Sequence, residues 1–303
     1  MNYPYSAYPN RGKLTLPGDC KLGLIMTINL EYWDLTKNSE QPYYAGGPAI
    51  LPDPLPANVP DFPNFMWREY GQRAGVWRLF DIFDTAKVPV SCTINAKTAT
   101  ERPEIVQAAD SRGWEIVAHN YEQGELLTDY AHNREAEAEV IKSTLAVYHD
   151  VLGRPAKGWL SSSMRGTLNT CDILAEEGIF FYCDFINDDQ PYMINTSSGD
   201  LVSIPYSNEI NDFTQLMRRG HTTDEFYTVL KDELDTLLSE AQKDDTAKIM
   251  NVGLHPHVAG RAYRSRAITE FLQYALGRPE VSFLTREAIA EHYLSHHESH
   301  IPA

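Results

Sequence analysis

The stretch of sequence that decides the fold runs from Lys157 to Ile194 and reads KGWLSSSMRGTLNTCDILAEEGIFFYCDFINDDQPYMI. It begins with a short apolar run, KGWL, and a Ser-rich loop. The segment TCDILAEEG follows, with apolar residues at three- and four-residue spacing. Gly178 stands where a helix would end, and a second apolar run, FFYCD, comes next. This order predicts a strand, a helix and a second strand parallel to the first.

The same alternation continues in both directions along the chain. Eight apolar runs predict strands over Leu22–Leu30, Val88–Asn95, Trp114–His119, Lys157–Leu160, Phe180–Asp184, Leu201–Tyr206, Ile249–His255 and Val281–Leu284. Helical periodicity predicts helices over Glu69–Lys87, Arg102–Arg112, Asp129–Val151, Thr170–Glu177, Thr223–Gln242, Tyr263–Leu276 and Arg286–Leu294. Continuous apolar strands that alternate with helices are typical of a parallel sheet with a covered outer face. The number of units favours a β/α barrel over an open sheet.

We expect a single domain over residues 1–303, with an N-terminal arm (residues 1–21) and a proline-rich excursion (residues 41–64). The excursion holds seven prolines and no periodicity, so it suits neither a helix nor a central strand. Because it follows the first predicted strand, it would either line the active face of a barrel or pack between subunits. The sequence leaves both possibilities open.

Charge and composition disfavour several classes of protein. The formal net charge is −16 and the pI is near 5.0, and such an acidic surface repels nucleic acid and anionic membranes. The sequence has no apolar run of membrane-spanning length, and its first residues lack the apolar core of a signal peptide, so we expect a cytoplasmic protein. None of the four cysteines belongs to a CxxC pair, which disfavours zinc-finger and thioredoxin-like sites.

Polar and aromatic residues collect where the predicted strands end, which is the end that carries the chemistry of β/α barrels. These candidate residues are Asn29, Glu31, Trp33, His119, Asn120, Trp159, Asp184, His255 and His257. Together they offer a base for water, an acid for a leaving nitrogen and apolar walls. This composition points to an amide-hydrolysing site.

Each candidate also has a purely structural interpretation. Glu31 could form a rim salt bridge, His119 could be a satisfied core histidine, and Asp184 could cap a turn. The usual spacing of a metal site is missing, because no HxxxH or HExxH pattern lies near His119 and the residue four positions later is Gln123.

Four stretches resemble the polysaccharide deacetylase superfamily, and within it the branch of cofactor-independent allantoinases, cyclic imide hydrolases and peptidoglycan-deacetylase-like proteins. They are INLEYW, GWEIVAHNYEQGELL, the long stretch quoted above and NVGLHPHVAGRAYRSRAITEFLQYAL. The resemblance covers about residues 22–293. It implies a distorted β/α barrel of about seven parallel strands.

The sequence departs from the metal-dependent members at two ligand positions. Those proteins carry an aspartate pair after strand one and two histidines four residues apart after strand three. By this resemblance the base aspartate position is Thr27, the metal aspartate position is Asn29 and the second histidine position is Gln123, so only His119 remains. The resemblance therefore implies the branch without a cofactor, and we expect no metal. If zinc or another divalent metal is bound, we expect Glu31, His119 and His255 to hold it.

The activity that the resemblance implies is hydrolysis of a non-peptide C–N bond in a small, cyclic amide such as allantoin, a hydantoin or an imide. We expect Glu31, helped by His255, to orient or deprotonate water, and His119 to donate to the carbonyl oxygen or the leaving nitrogen. The predicted substrate contacts come from Asn29, Trp33, Asn120, Trp159, Asp184, His257 and Arg261.

Two other functions remain open on the sequence alone. One is a metal-dependent N-deacetylase of an amino sugar or of peptidoglycan, and the other is a non-catalytic binding protein on a decayed barrel. The expected partners are a small-molecule substrate and copies of the same chain. The resemblance implies a homo-oligomer, a tetramer, without nucleic acid or membrane.

Overall fold

The computed structural model describes residues 3, 5–34, 50, 56 and 59–301 of the chain. The strands in these residues are β1 (Leu22–Leu30), β2 (Ser91–Ile94), β3 (Glu115–Ala118), β4 (Gly158–Trp159), β5 (Phe181–Tyr182), β6 (Tyr192–Ile194), β7 (Leu201–Ser203), β8 (Lys248–Leu254) and β9 (Val281–Phe283). They form one curled sheet in the order β6-β7-β5-β4-β3-β2-β1-β8, and β9 also pairs with β1. The pairing of β6 with β7 is antiparallel and the other pairings are parallel. The predicted β/α barrel is confirmed, in the form of a half-barrel surrounded by helices.

The helices in the described residues cover the outer face of the sheet. They are α1 (Phe62–Tyr70), α2 (Val76–Ala86), α3 (Ala96–Glu101), α4 (Pro103–Asp110), α5 (Arg134–Leu152), α6 (Thr170–Glu176), α7 (Thr223–Lys243), α8 (Ser265–Leu276), α9 (Arg286–Leu294) and α10 (His297–His300). Local signals fix several of their ends: Thr222 and Glu225 form a capping box at the start of α7, and α5 ends at Gly153, whose φ is 68°. No helix in the described ranges is both long and apolar enough to cross a membrane.

Strand β1 lies at the centre of the fold and sets the direction of the site residues. It pairs with β8 along most of its length, with β2 at its carboxyl end and with β9 at its start. All nine of its residues are buried. Leu24, Met26 and Ile28 pack in the cluster shared with the helices, whereas Ile25 belongs to the separate apolar cluster inside the barrel. Because side chains alternate along a strand, Asn29 lies on the inner face with Ile25.

Four elements differ from the sequence prediction, and one of them is the short helix α10, which lies beyond the last predicted helix. Strand β6 and helix α3 were not predicted, because YMI is too short and AKTATE too polar to show a period. Helix α1 begins at Phe62, inside the predicted proline-rich excursion, since Pro63 is tolerated in the first turn and Asp61 caps the backbone N–H of Asn64. Most of the excursion, up to residue 58, lies outside the described residues.

Candidate active site

The site lies at the carboxyl ends of the parallel strands. Inner-face positions at or just beyond the ends of β1, β3 and β8 bring Asn29, Glu31, His119 and His255 to one cavity of about 220 Å³. The cavity is lined by Asn29, Glu31, Trp33, His119, Gln123, Leu160, Ser161, Ser163, Met164, Arg165, Tyr206, Asn208, Asn211, Phe213, Arg218 and His255. The expectation that polar strand ends converge on one face therefore holds for β1, β3 and β8.

Glu31 is a buried carboxylate held between an indole and an imidazole. Its Oε2 accepts a hydrogen bond from Trp33 Nε1 at 3.2 Å, and its Oε1 lies 3.4 Å from Nε2 of His255. Burial by itself would raise the pKa of Glu31, but the charge and hydrogen bond of His255 lower it to about 2. Glu31 is therefore ionised at neutral pH and presents its remaining lone pairs to the cavity.

His255 is held as a cation between two carboxylates. Its Nδ1 lies 2.6 Å from Oδ1 of the fully buried Asp212, and its backbone N–H donates to the other oxygen of Asp212 at 2.7 Å. Burial opposes the charged imidazole, but Asp212 and Glu31 together raise the pKa of His255 to about 10. His255 therefore carries a transferable proton on Nε2 beside Glu31.

His119 has the opposite protonation state. Its Nδ1 lies 2.6 Å from the backbone oxygen of Leu160, which can only accept, so Nδ1 carries the proton. Burial lowers the pKa of His119, and its Nε2 is buried without a hydrogen-bond partner among the described residues. The neutral ring thus offers a lone pair at the cavity, an acceptor rather than the donor that the sequence led us to expect.

Helices α1 and α2, with the π-helical turn Gly71–Gly75 between them, support this centre from behind. Gln72 Nε2 donates to the backbone oxygen of Glu31 at 2.8 Å, and the Arg68 guanidinium lies 4.0 Å from the Trp33 ring. A Cβ at Gly75 would overlap the backbone oxygen of Pro256, so the helix approaches the turn after β8 as closely as glycine allows.

Five of the residues predicted to contact substrate do not belong to the described lining of the cavity. Each of them contacts other groups of the protein. Trp159 is fully buried and donates through Nε1 to Ser161 Oγ at 3.0 Å. The amide of Asn120 spans Glu125 O and Ser162 N, so it fixes two loops.

The other three residues are Asp184, His257 and Arg261. Asp184 accepts hydrogen bonds from Ser161 N at 2.6 Å and from Tyr182 Oη at 2.6 Å, so it joins the loop after β4 to β5. His257 packs edge-on against Trp67, with ring centroids 4.7 Å apart, and the Arg261 guanidinium lies 3.6 Å from the ring of Tyr70. These groups shape the wall behind the site.

Sequence reasoning gave no role to several residues of the site, above all Asp212 and Tyr206. Both lie in the segment YSNEINDF after β7, and Asp212 is nine residues beyond the last residue of that strand. The polar composition of this segment indicated that the loop could belong to the site. It did not indicate which of its carboxylates would contact His255.

Comparisons with known proteins agree with this architecture. No protein-family model matches the chain. A Schizosaccharomyces pombe protein that is provisionally named a polysaccharide deacetylase is 28% identical over 270 residues, covering 80% of this chain and 82% of that protein. The crystal structure of a probable polysaccharide deacetylase from Pseudomonas aeruginosa PAO1 has 29% identity and a TM-score of 0.83, with coverage of 99% and 100%.

A second solved structure extends the comparison. The Puue allantoinase has 27% identity and a TM-score of 0.85, and each chain is covered over 100% of its length. Over nearly its whole length, the chain is therefore similar to proteins of the polysaccharide deacetylase superfamily. Its deacetylase-like and allantoinase-like relatives in this superfamily are hydrolases that act on C–N bonds.

Many deacetylases of this superfamily use a metal ion, but the donor atoms present here do not fit one. At the two altered ligand positions, Asn29 Oδ1 accepts from Thr93 Oγ1 at 2.6 Å and Gln123 Oε1 accepts from Ser162 Oγ at 3.0 Å. Neither amide carries the charge of the usual zinc ligands.

The alternative ligand set of Glu31, His119 and His255 fits no better. Because the pKa of His255 is raised, a metal ion would have to displace the proton from Nε2 of this imidazole. Within the described residues, no group of three or more His, Cys, Asp or Glu side chains is arranged to hold a metal ion.

Proposed function

We propose that this protein hydrolyses an amide C–N bond of a small, polar, cyclic substrate of the allantoin, hydantoin or imide type, with protein side chains as the acid and the base. The observation that carries the proposal is the line of charge Asp212–His255–Glu31, which faces the same cavity as the unprotonated Nε2 of His119. This arrangement supplies a proton donor and two acceptors at one point.

The attacking water is bound by the two acceptors. Glu31 accepts one of its protons, and the lone pair of His119 Nε2 accepts the hydrogen bond from the other. The water oxygen forms a bond to the carbonyl carbon, and the C–N bond breaks as the nitrogen takes the proton of His255 Nε2. The pKa of Glu31 rises as His255 gives up its charge, so the proton transfer from water to Glu31 and the transfer from His255 to the nitrogen take place together.

The resting state is restored by one proton transfer. Glu31 Oε1 and His255 Nε2 lie 3.4 Å apart, so the proton taken from water passes to the imidazole. Asp212 holds the ring through Nδ1 during the whole cycle. Each acid or base step of this kind contributes roughly 10²–10⁴-fold in rate.

The cavity supports a small substrate. Its volume of about 220 Å³ suits a single ring, and Trp33, Leu160 and Phe213 give it apolar walls. The Puue allantoinase among the similar structures supports a ring amide for the same fold.

The second candidate is N-deacetylation of an amino sugar or of peptidoglycan. The names of the relatives from Schizosaccharomyces pombe and Pseudomonas aeruginosa favour it. The neutral amides of Asn29 and Gln123 at the metal positions speak against the usual metal-dependent form of that reaction.

A substrate panel separates these functions. Purified protein is incubated with allantoin, hydantoin and succinimide, and separately with N-acetylglucosamine oligomers, and ring opening and acetate release are measured. We expect ring opening without acetate release. Acetate release from the oligomers alone would favour the deacetylase, and no turnover on either set would favour the binding protein.

A further inference from the structure

Tyr206 enters the active-site cavity from the segment that follows β7. It lies three residues after β7 and is buried, and its hydroxyl approaches β8 at Gly253 and β1 at Asn29. A Cβ at Gly253 would overlap this hydroxyl, so the glycine makes room for it. Tyr206 is among the residues that line the cavity with Glu31 and His255.

Two amide groups donate to the phenol oxygen. Asn29 Nδ2 lies 3.1 Å from it and Asn211 Nδ2 lies 2.9 Å from it. The orientation of both amides is fixed by other partners, because Asn29 Oδ1 accepts from Thr93 Oγ1 and Asn211 Oδ1 accepts from the backbone N–H of Phe213. Tyr206 is therefore the acceptor in both hydrogen bonds.

The phenol proton of Tyr206 has no acceptor in the part of the chain that the structure describes. Other buried tyrosines differ in this respect: Tyr182 donates to Asp184 Oδ2 at 2.6 Å, and Tyr192 donates to Asn187 Oδ1 at 2.8 Å. Burial raises the pKa of Tyr206 to about 12, so the proton stays on the oxygen at neutral pH. Because Tyr206 lines the active-site cavity, a substrate bound there can accept this proton in a hydrogen bond.

We propose that Tyr206 is a further catalytic residue, which donates its O–H hydrogen bond to the carbonyl oxygen of the scissile amide as negative charge develops there. The inference rests on the proposed amidohydrolase function. The two amide donors polarise the phenol and fix its position before the reaction, so no reorganisation is needed when the charge appears. The proton remains on Tyr206 throughout, and no bond to it is broken.

The test is the substitution Tyr206→Phe, which keeps the ring and removes the donor. With the ring amide that the wild type hydrolyses best, we expect kcat to fall roughly 10²-fold and KM to change little. Tyr192→Phe is the matched control, since it removes a buried hydroxyl remote from the cavity, and its kcat should equal that of the wild type. A wild-type kcat in Tyr206→Phe, or a rise in KM alone, would overturn the inference while leaving the proposed function intact.

A second variant keeps the tyrosine and redirects its proton. In Asn211→Asp the oxygen that accepts from Phe213 N remains, and an acceptor replaces the donor that faces Tyr206. We expect kcat to fall here as well, because the phenol proton then bonds to the carboxylate and not to the substrate. A kcat equal to that of the wild type would refute the assignment, and it does so even if Tyr206→Phe fails to fold. Absence of any ring opening by the wild type would instead contradict the proposed function itself.

Discussion

The proton affinity of Glu31 depends on the charge of its neighbour. With His255 protonated at 3.4 Å, the Glu31 carboxylate has a pKa near 2 and is a weak base. Once His255 has given its proton to the leaving nitrogen, the same carboxylate lies buried without a cation at that distance, and its affinity for a proton rises. The acid step and the base step are thus coupled through one contact.

Replacing Glu31 tests this coupling. Glu31→Gln keeps the shape and one acceptor but removes the base, so we expect kcat to fall by roughly 10²-fold or more with little change in KM. Steady-state kinetics on the preferred ring amide measure both parameters.

Glu125→Gln is the matched control, since Glu125 accepts from Tyr130 Oη at 2.6 Å and lies outside the described lining of the cavity. If Glu31 formed only a buried salt bridge, Glu31→Gln would lower the stability of the fold by up to roughly 3–5 kcal/mol and leave turnover intact. That outcome would move the base from Glu31 to His119.

We expect Asp212 to set the alkaline limit of the proposed activity. Asp212 and Glu31 raise the pKa of His255 from its usual 6.5 to about 10, so the imidazole is charged at neutral pH and loses its proton only as the pH rises through about 10. In Asp212→Asn the larger of the two stabilising charges is gone, and the alkaline limb of kcat/KM should move to lower pH. A pH–rate profile with its alkaline limb unchanged would show that Asp212 does not control the acid.

Among the secondary-structure elements, the helix pair α1–α2 packs closely against the site, and two glycines between the helices allow this packing. Gly71 and Gly75 lie four residues apart, and a Cβ at either would meet the backbone of the turn after β8, at His257 or Pro256. Because of this close approach, Gln72 donates a hydrogen bond to the backbone oxygen of Glu31, and the Trp67 ring packs against the ring of His257. A rigid helix thereby fixes two strand ends relative to each other.

The substitution Gly75→Ala should disturb the catalytic geometry. Its methyl group would overlap Pro256 O, and the turn that follows His255 must shift to admit it. Because a misplacement of about 1 Å can cost 10²-fold in rate, we expect kcat to fall together with the melting temperature. Gly277→Ala at the end of α8 is the control, since its nearest neighbouring atom would be 3.4 Å away. Equal kcat in both variants would show that the helix does not position His255.

The elements were more predictable than the contacts between them. A period of two along β1 puts Asn29 and Glu31 on one face, and this rule alone brings them near His119 and His255. Trp159 was placed wrongly by the same rule, because an indole at a strand end fills the core as readily as a cavity wall. Asp212 and Tyr206 lie in a loop, where no period relates sequence position to direction in space.

At the scale of the whole molecule, we predict a homo-tetramer. The seven prolines of the excursion at residues 41–64 would lower the entropy cost of ordering it against another subunit. Light scattering on the purified chain should return about four times its mass of 34.3 kDa. A mass of one chain across micromolar concentrations would contradict the assembly without touching the chemistry of the site.

The central claim is that the side chains of this protein hydrolyse a ring amide without a metal ion. The most direct test measures turnover of the preferred ring amide by protein dialysed against a strong chelator, with elemental analysis of the same sample. We expect no stoichiometric zinc and a turnover equal to that of the untreated protein. One tightly held zinc ion per chain, with turnover lost on chelation and restored by adding zinc, would contradict it.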